Sequence, residues 1–350
     1  MRKIIYLSRH KQSITGGHKY NDAFESYLEQ LSGIKVKSTP SCGHAYQGWK
    51  KILAPFAELK YLKLFVKDSL IIFSDSAYKY HVLLALLGRL FFRSKTTIIV
   101  HHFPFIGVSG IRGRIDKWLM CKYASMIDSI IVPSPYTLDV ANKLFPQKTI
   151  YYIPLPFERN FNKSSEYEQG NLLYVGTVEE RKGLTYLIDA ISLLDNKNLV
   201  KLNIVGKVVD EAYYKKILLQ IDSLGLSGNV SFWGRVSEET LNECYRRAEM
   251  FTFPSLLEGY GIVLVEAFNN ALPIICFDNS AMPYTVKDGI NGFVAKNKDS
   301  KDLACKIKML IGNKSLRDRL QDGIKDSVMS LKTKKDFEEK ILEFWESISK

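Results

Sequence analysis

Apolar and polar residues follow two alternating patterns along this chain. Short runs of aliphatic, β-branched and aromatic residues predict strands, and the longer stretches between them place apolar residues at helical spacing. The strands predicted in the first half are Lys3–Leu7, Leu70–Phe73, Thr97–Val100, Ser129–Val132 and Thr149–Ile153. The helices predicted there are Tyr20–Leu31, Tyr78–Phe92, Arg112–Ala124 and Tyr136–Leu144.

The second half repeats this alternation. Its predicted strands are Asn171–Val175, Val200–Val205, Val230–Phe232, Met250–Phe253, Ile274–Cys276 and Gly292–Val294. Its predicted helices are Leu184–Leu194, Glu211–Leu224, Ser237–Ala248, Ile262–Asn270 and Lys301–Ile311. Apolar strands that alternate with helices are typical of doubly wound parallel sheets, and 350 residues can hold two of them. We therefore predict an α/β protein with two domains.

A polar segment separates the two sets of strands. It runs from Pro154 to Gly170, contains two prolines and is rich in Ser, Glu and Asn. The domains are therefore predicted at residues 1–160 and 161–330. A last helix, Lys334–Ser349, follows both sheets, and we expect residues 331–350 to return towards the first domain.

Composition favours a globular protein of the cell interior. Apolar residues make up 46% of the chain, which is enough for real cores. The five cysteines are scattered and form no C-x-x-C pair, which argues against a disulfide framework and against a zinc site. No apolar leader precedes Lys3–Leu7, and the most apolar run, Val82–Phe92, is too short to span a bilayer. We expect a cytoplasmic location.

Positive charge is concentrated in the first half. Residues 1–160 contain 23 of the 49 Lys and Arg and 10 of the 37 Asp and Glu, a balance of +13, whereas residues 161–350 have a balance of −1. The segment from Trp49 to Lys67 interleaves lysines with aromatic and aliphatic residues. It either rests on the anionic inner face of a membrane or packs its apolar stripe on the core. No signature of nucleic-acid binding is present.

Two carboxylates flank a glycine turn after the strand Met250–Phe253. The sequence PSLLEGYG places Glu258 in the turn, and Glu266 follows in the next helix. Ligands of open α/β sheets bind at the carboxyl ends of strands, and N–H groups at a helix start can meet sugar or phosphate oxygens. Taken alone, the two residues could equally be a helix charge and ordinary surface.

Two more loops carry groups suited to phosphate. Arg181 and Lys182 precede a helix, where two cations can stabilise the charge of a leaving diphosphate, unless they form a solvent-facing group with neighbouring glutamates. Gly16 and Gly17 follow the first strand and would let the backbone approach a phosphate. They are not part of a G-x-G-x-x-G fingerprint, so nicotinamide or flavin binding is not supported.

A histidine pair follows the strand Thr97–Val100. His101 and His102 have no third metal ligand at useful spacing, and the chain contains no Asp-x-Asp sequence. We therefore expect no metal and no cofactor. His101 is expected instead to line a cleft and to donate to a phosphate or a hydroxyl.

Residues 171–310 resemble the carboxyl-terminal half of the retaining glycosyltransferases of family 4 (glycosyl transferases group 1), which have the GT-B fold. The matching pieces are LLYVGTVEERKGLTYLIDA, LNIVGK, VSFWGRVSEETLNECYRRAEMFTFPSLLEGYGIVLVEAFNNALPII and DGINGFVA, in the family's order. The first half is similar only in pattern, through its glycine loop, VHHFPF and IIVPSPYT. The resemblance implies two Rossmann-like domains facing a central cleft, the first binding acceptor and the second binding donor.

The resemblance also implies roles for individual residues. Arg181 and Lys182 would bind the donor diphosphate, and Glu258 would contact hydroxyls of the donor sugar. Glu266 would hold the ribose hydroxyls, and His101 would face the sugar and the acceptor. Glu258, Lys182, Arg181 and His101 are the catalytic residues by this resemblance.

Further positions would complete the donor site. Thr177 stands where many members have an arginine, so we expect Arg181 to supply that charge. The resemblance assigns Gly16 and Gly17 to the diphosphate, Gly259, Tyr260 and Gly261 to the sugar, and Gly206, Lys207, Arg235 and Val236 to the nucleobase.

The activity implied by the resemblance is a retaining sugar transfer without a divalent metal. A hexose-type sugar would move from a UDP- or GDP-linked donor to a saccharide or lipid-linked saccharide, as in the synthesis of cell-surface polysaccharide or glycolipid. Because the fold alone does not fix the chemistry, two alternatives stay open. They are a phosphorylase- or epimerase-like enzyme and a non-catalytic subunit that binds sugar nucleotides.

Overall fold

The computed structural model describes residues 3–8, 16–40, 53–66, 68–75, 78–92, 94–108, 110–163 and 166–349. The chain folds into two compact units. The N-terminal unit comprises Met1–Phe157 and Lys332–Lys350, and the C-terminal unit comprises Glu158–Leu331.

The N-terminal unit contains a parallel sheet of six strands in the order β2-β1-β3-β4-β5-β6. These strands are β1 (Lys3–Ser8), β2 (Val36–Pro40), β3 (Ser69–Ser74), β4 (Lys95–Ile99), β5 (Ser129–Val132) and β6 (Thr149–Tyr152). Its helices are α1 (Gly16–Ser32), α2 (Ala54–Ala57), α3 (Tyr78–Phe91), α4 (Gly110–Ser125), α5 (Pro135–Leu144) and, from the end of the chain, α13 (Lys334–Ser349).

Aromatic side chains hold α13 within this unit. Phe337 and Phe344 of α13 pack against Tyr20 and Phe24 of α1, with ring centroids 5.8 and 6.1 Å apart. The Tyr20 hydroxyl donates to the carbonyl oxygen of Ile153 at 3.0 Å. Because these rings are buried, the end of the chain is part of the core of the N-terminal unit.

The C-terminal unit contains a second parallel sheet of six strands, in the order β12-β11-β10-β7-β8-β9. Its strands are β7 (Asn171–Val175), β8 (Lys201–Val205), β9 (Val230–Gly234), β10 (Met250–Phe253), β11 (Ile274–Phe277) and β12 (Gly292–Ala295). Its helices are α6 (Leu184–Ser192), α7 (Glu211–Ser223), α8 (Glu238–Arg247), α9 (Ile262–Asn269), α10 (Met282–Thr285), α11 (Ser300–Leu310) and α12 (Lys314–Met329).

Burial and capping explain why these segments form. Every residue of β3, β5, β10 and β11 is buried, because helices cover both faces of a doubly wound sheet. Several helices begin where a polar side chain accepts a hydrogen bond from the first turn, as Asp210 does for α7 and Ser237 for α8. The predicted pair of doubly wound parallel sheets is confirmed.

The strand order of the second sheet contains a topological switch point. The chain builds outwards from β7 through β8 to β9, then returns to the other side of β7 with β10, β11 and β12. The loops after β7 and β10 therefore leave neighbouring strands towards opposite sides, which opens a crevice between them. This crevice is where a ligand is expected in such a sheet.

The basic segment of the first half is only partly described. Trp49 and Lys67 lie outside the described residues, whereas Tyr61 and Phe65 are buried in the core and Lys60 and Lys63 are exposed. Tyr61 and Phe65 thus pack on the core, whereas Leu53 and Phe56 of the same segment are exposed, so both alternatives stay open. Within the described ranges, no helix has both the length and the apolar character that crossing a bilayer requires.

Candidate functional site

The switch point of the C-terminal unit joins two loops through their backbones. The loop after β7 forms a short 3-10 helix at Glu180–Lys182 and turns at Gly183 with φ +69°. The Leu256 N–H, in the loop after β10, donates to the carbonyl oxygen of Arg181 at 2.8 Å. A Cβ at Gly183 would lie 2.1 Å from the carbonyl oxygen of Pro254, so only glycine allows this approach.

Lys182 and Glu258 meet across this joint. The Lys182 ammonium donates to Oε1 of Glu258 and also lies 4.9 Å from the centre of the Phe253 ring. The side chains of Lys182 and Glu258 are only 11% and 13% exposed. Two charges this poorly solvated stabilise the fold only when they are paired and hydrogen-bonded, so their pairing is a strong constraint on the site.

The carboxylate of Glu258 uses one oxygen for all of its contacts with described residues. Oε1 accepts from Lys182, from the Ser255 hydroxyl at 2.9 Å and from Arg181 at 3.4 Å. Burial raises the pKa of Glu258, but the charges of Lys182 and Arg181 and the hydrogen bonds from Lys182 and Ser255 outweigh it, so the pKa is lowered. Glu258 is therefore an anion whose Oε2 can accept from a ligand hydroxyl.

Thr177 and Glu179 position Arg181. The Thr177 hydroxyl donates to Oε1 of Glu179 at 2.6 Å, and the same oxygen accepts from the Arg181 guanidinium at 2.8 Å. Arg181 also donates to the carbonyl oxygen of Leu257 at 3.0 Å. The guanidinium is thus held at Glu258 although Thr177 itself carries no charge.

Sequence reasoning did not assign a role to the residues that support Glu258. The Glu258 N–H donates to the Ser280 hydroxyl at 2.9 Å, and the Glu258 carbonyl oxygen accepts from the Ala281 N–H at 3.3 Å. Ser280 follows β11, the strand beside β10, so strand order is the signal that points to it. Ser255 lies within the PSLLEGYG motif, three residues before the carboxylate that it contacts.

The turn after Glu258 leads into α9. Gly259 and Tyr260 are half-buried in this turn, and Gly261 caps the helix with φ +82°. Glu266 lies one turn inside α9, where its Oε2 accepts from the Tyr245 hydroxyl at 3.1 Å. Burial, together with the charge and hydrogen bond of Glu266, raises the pKa of Tyr245, so this phenol keeps its proton. Sequence reasoning missed Tyr245.

The other residues of the C-terminal unit that are predicted to bind the sugar-nucleotide donor lie directly after β8 and β9. Gly206 follows β8, and a Cβ there would lie 1.9 Å from the carbonyl oxygen of Gly176. Lys207 is exposed beside it, and Arg235 and Val236 follow β9 at the same edge of the sheet. The structure thus brings these four positions to the same edge of the sheet as Glu258. Of the predicted site residues, Lys182 and Arg181 are the ones that the structure shows in contact with Glu258.

His101 lies at the carboxyl end of β4 in the N-terminal unit. Its Nε2–H donates to Oδ1 of Asn21 at 2.9 Å, and the Tyr20 ring meets it edge-on with centroids 5.3 Å apart. Gly17 packs against the ring, because a Cβ there would be 3.4 Å from the imidazole Cδ2. Gly16 begins the same helix, α1.

Asp75 organises the backbone around His101. Its Oδ2 accepts from the N–H groups of His101 and His102 at 2.8 and 3.2 Å. Burial lowers the pKa of His101 despite the opposing charge of Asp75, so the imidazole is neutral at physiological pH. The described residues include no group of three or more His, Cys, Asp or Glu side chains that could hold a metal ion.

The edge of the C-terminal unit can bind a ligand that carries both negative charge and hydroxyl groups. Lys182 and Arg181 supply cationic donors, and the carboxylates of Glu258 and Glu266 each keep one oxygen that makes no hydrogen bond with a described residue. Residues 156–326 match the family model described as glycosyl transferases group 1. This region is a glycosyl transferases group 1 domain.

Relatives and solved structures extend the similarity beyond the group 1 domain. The chain is 30% identical over 209 residues to an uncharacterized glycosyltransferase of Methanocaldococcus jannaschii, covering 59% of this chain and 56% of that protein. It is 28% identical over 151 residues to the O-antigen chain mannosyltransferase B of Escherichia coli, covering 43% and 39%. The chain thus spans about a third to a little over half of the length of the curated relatives it matches.

Solved structures match over almost the whole chain. The sucrose-phosphate synthase of Thermosynechococcus elongatus has a TM-score of 0.82 at 17% identity, with 99% of both chains covered. Anabaena HepE, whose structure holds UDP and glucose, has a TM-score of 0.75 at 17% identity, with 99% and 100% covered. The two Rossmann-like units of this protein are therefore those of the GT-B fold.

Proposed function

We propose that this protein is a glycosyltransferase that uses a UDP- or GDP-linked hexose as donor and a saccharide or lipid-linked saccharide as acceptor. The observation that carries the proposal is the poorly solvated Lys182–Glu258 pair at the switch point of the group 1 domain. The UDP and glucose in Anabaena HepE support the donor class. The O-antigen mannosyltransferase among the relatives supports an acceptor from cell-surface polysaccharide or glycolipid synthesis.

The two cations are the groups that would bind the diphosphate. Lys182 has three N–H donors and Arg181 has five, so both can keep Glu258 as a partner and still reach phosphate oxygens. The diphosphate gains negative charge as its bond to the sugar breaks. Lys182, which is poorly solvated, would stabilise that charge more strongly in the transition state than in the ground state, and the more exposed Arg181 would add to this.

The carboxylates are the groups that would accept hydrogen bonds from the hydroxyls of the donor. Glu258 would accept from the sugar through Oε2, beside the turn formed by Gly259, Tyr260 and Gly261. Glu266, held by Tyr245, would accept from the ribose. The positions assigned to the other parts of the ligands are Gly206, Lys207, Arg235 and Val236 for the nucleobase, Gly16 and Gly17 for the diphosphate, and His101 for the sugar and acceptor.

The reaction would proceed with retention of the anomeric configuration. The bond between the anomeric carbon and the diphosphate oxygen breaks, and the acceptor oxygen bonds to the same face of the sugar. A phosphate oxygen of the departing diphosphate takes the acceptor proton. Glu258 stays charged beside Lys182 and acts by binding, so protein groups contribute positioning and charge stabilisation. Lys182 and Arg181 take the place of a divalent metal.

A thermal-shift screen of UDP- and GDP-sugars tests donor binding. We expect one nucleotide class to raise the Tm of the wild-type protein by mass action and to have a much smaller effect on Lys182→Ala. Lys308→Ala, which removes an exposed partner of Asp195 far from the switch point in sequence, is the matched control and should respond like the wild type. Equal shifts for all three proteins would contradict the proposed site.

Product analysis tests the reaction class. We expect the donor identified by the screen to yield a glycoside with the donor's anomeric configuration by NMR, with unchanged rates after EDTA treatment. Release of a sugar phosphate that requires free phosphate would identify a phosphorylase, and a donor changed at one carbon would identify an epimerase. Donor binding without turnover on any saccharide or lipid-linked acceptor would favour a non-catalytic subunit.

A further inference from the structure

Helix α4 presents apolar side chains on two opposite faces. Its inner face buries Met120 and Tyr123 in the core of the N-terminal unit. On the outer side, Ile111, Ile115 and Trp118 are 72%, 51% and 59% exposed. A surface helix normally turns charged and polar residues to solvent, so the outer face of α4 needs an explanation.

The three exposed side chains form one stripe. They are four and three residues apart, which is the spacing of neighbours along one face of an α-helix. Lys122, four residues after Trp118, continues the stripe and is also exposed. We call Ile111, Ile115, Trp118 and Lys122 the outer stripe of α4.

Cations without acidic partners border the outer stripe. Arg112, Arg114 and Lys117 are exposed, and neither they nor Lys122 form an ion pair with any residue in the described part of the chain. Asp116, the acidic residue of this helix, is buried on the inner side. The exposed side of α4 is therefore both apolar and strongly positive.

Helix α13 of the same unit shows the usual arrangement. Its exposed lysines Lys334 and Lys335 lie 3.7 and 3.9 Å from Glu338 and Glu339, one helical turn further on. Such pairs neutralise a solvated face. Among the residues that the structure describes, the cations of α4 have no such acidic neighbours, so their charge is open to an external anionic partner.

Helix α3 ends beside the last residue of α4 and also carries exposed apolar side chains. The Arg89 guanidinium donates to the carbonyl oxygen of Ser125, the last residue of α4, at 2.8 Å. The next two residues, Leu90 and Phe91, are both largely exposed. Large apolar side chains thus lie at the carboxyl-terminal end of α4 as well as along its outer stripe.

We propose that the outer face of α4 docks on an anionic phospholipid bilayer. Isoleucine side chains and a tryptophan ring suit the boundary between headgroups and acyl chains, where Trp is enriched. Arginine and lysine stems can lie along this boundary while their charged ends reach phosphate groups. A second copy of the same face is a poorer partner, because it would set four cations against four.

Docking of α4 on a bilayer needs neither the donor nor a catalytic residue, so it is independent of the proposed activity. It is tested with the full chain by co-sedimentation with vesicles of phosphatidylglycerol and of phosphatidylcholine. We expect binding to the phosphatidylglycerol vesicles, weakening as salt is raised. Brominated acyl chains should quench Trp118 fluorescence, and Trp118→Phe should remove this quenching while binding persists.

Variants separate the apolar and the cationic contributions. We expect Ile111→Ser/Ile115→Ser/Trp118→Ser to weaken vesicle binding at least tenfold. Each of Arg114→Gln and Lys117→Gln should weaken it about fivefold. Leu219→Ser, on α7 beside Lys215 and Lys216 and equally exposed, is the matched control and should bind like the wild type. Unchanged Tm values would show that all variants fold.

Three results would overturn the proposal. The first is that the wild type does not bind phosphatidylglycerol vesicles. The second is that the triple serine variant of Ile111, Ile115 and Trp118, the outer-stripe variant, binds them as well as the wild type does. The third is that sedimentation velocity without lipid shows a dimer that the outer-stripe variant does not form. The last result would identify a second copy as the partner. Sugar transfer to a water-soluble acceptor should be the same in the outer-stripe variant and the wild type, so failure here and failure of the proposed activity are distinguishable.

Discussion

The carboxyl ends of the two sheets differ in how they handle charge. In the C-terminal unit, Lys182 and Arg181 converge on the carboxylate of Glu258, whose pKa is lowered by these cations. In the N-terminal unit, the corresponding edge holds His101, whose pKa is lowered by burial, and Asp75, which accepts from backbone N–H groups. We call the first the ionic edge, formed by Lys182, Arg181 and Glu258. We call the second the neutral edge, formed by His101 and Asp75, because its imidazole carries no charge.

This difference indicates what each edge can recognise. An ion pair with spare donors and a spare carboxylate oxygen can bind a charged ligand without leaving a buried charge unpaired. A neutral imidazole beside Tyr20 and Asn21 suits a hydroxyl group, which it can hydrogen-bond without a change of charge. We therefore expect substitutions at the ionic edge to have the larger effects.

Removing one charge of the ionic edge is expected to have the largest effect. Lys182→Met leaves Glu258 with Arg181 and Ser255, which should lower the free energy of unfolding by about 3 kcal/mol, since loss of one member of a buried pair exposes the cost of the other. Sugar transfer should fall by about 10²–10³-fold. Urea unfolding and initial rates measure the two effects.

A double variant separates pairing from catalysis. Lys182→Met/Glu258→Gln removes both charges and should recover most of the lost stability while transfer stays low. Lys308→Met breaks an exposed pair with Asp195 and should leave the urea midpoint unchanged. If Lys182→Met were as stable as the wild type, the pair would not constrain the site as we infer.

Backbone approach should make the ionic edge less tolerant of an added methyl group than the neutral edge. Gly183→Ala places Cβ 2.1 Å from the Pro254 carbonyl oxygen at φ +69°, and we expect a loss of about 2–4 kcal/mol. Gly17→Ala meets the His101 ring at 3.4 Å, an ordinary contact, and should change stability by less than about 1 kcal/mol. Thermal unfolding of the two variants compares the edges directly, and equal losses would contradict the contrast.

The strands could be predicted from the sequence wherever they are apolar. All six strands of the C-terminal unit follow from such runs. Most of them are buried because both faces of the sheet are covered, whereas the edge strand β9 exposes alternate residues. The edge strand β2 was missed, since VKSTP carries mostly polar residues and pairs on one side only. Helix α12, Lys314–Met329, was missed as well, because its polar residues hide its apolar spacing.

The members of the ionic edge could be predicted, but their contacts could not. Lys182 and Glu258 are 76 residues apart, and their pairing depends on β10 lying next to β7 in the sheet. The support from Ser280 and Tyr245 depends on the same long-range packing, so no local pattern indicates it.

The hydrogen bonds behind Arg181 should have an intermediate effect. Thr177→Val removes the donor to Glu179 but keeps the shape of the side chain, so Arg181 should be less well held. We expect the KM for the donor to rise up to about tenfold, the equivalent of one hydrogen bond, with little change in kcat. Thr177→Ser retains the hydroxyl and should behave like the wild type. The same KM in the valine variant would show that Arg181 is positioned without Thr177.

The smallest effect is expected at the neutral edge, in the pH dependence of stability. Because burial lowers the pKa of His101, the folded state takes up a proton less readily than the unfolded chain, whose histidines titrate near about 6.5. The stability contributed by neutral His101 is present above that pH and is lost as pH falls below it, by at most about 1.4 kcal/mol per pH unit. His101→Gln should therefore lose less stability between about pH 7.5 and 5.5 than the wild type. If the urea midpoints of the two proteins fell by the same amount across this range, His101 would not be a neutral group whose protonation destabilises the fold.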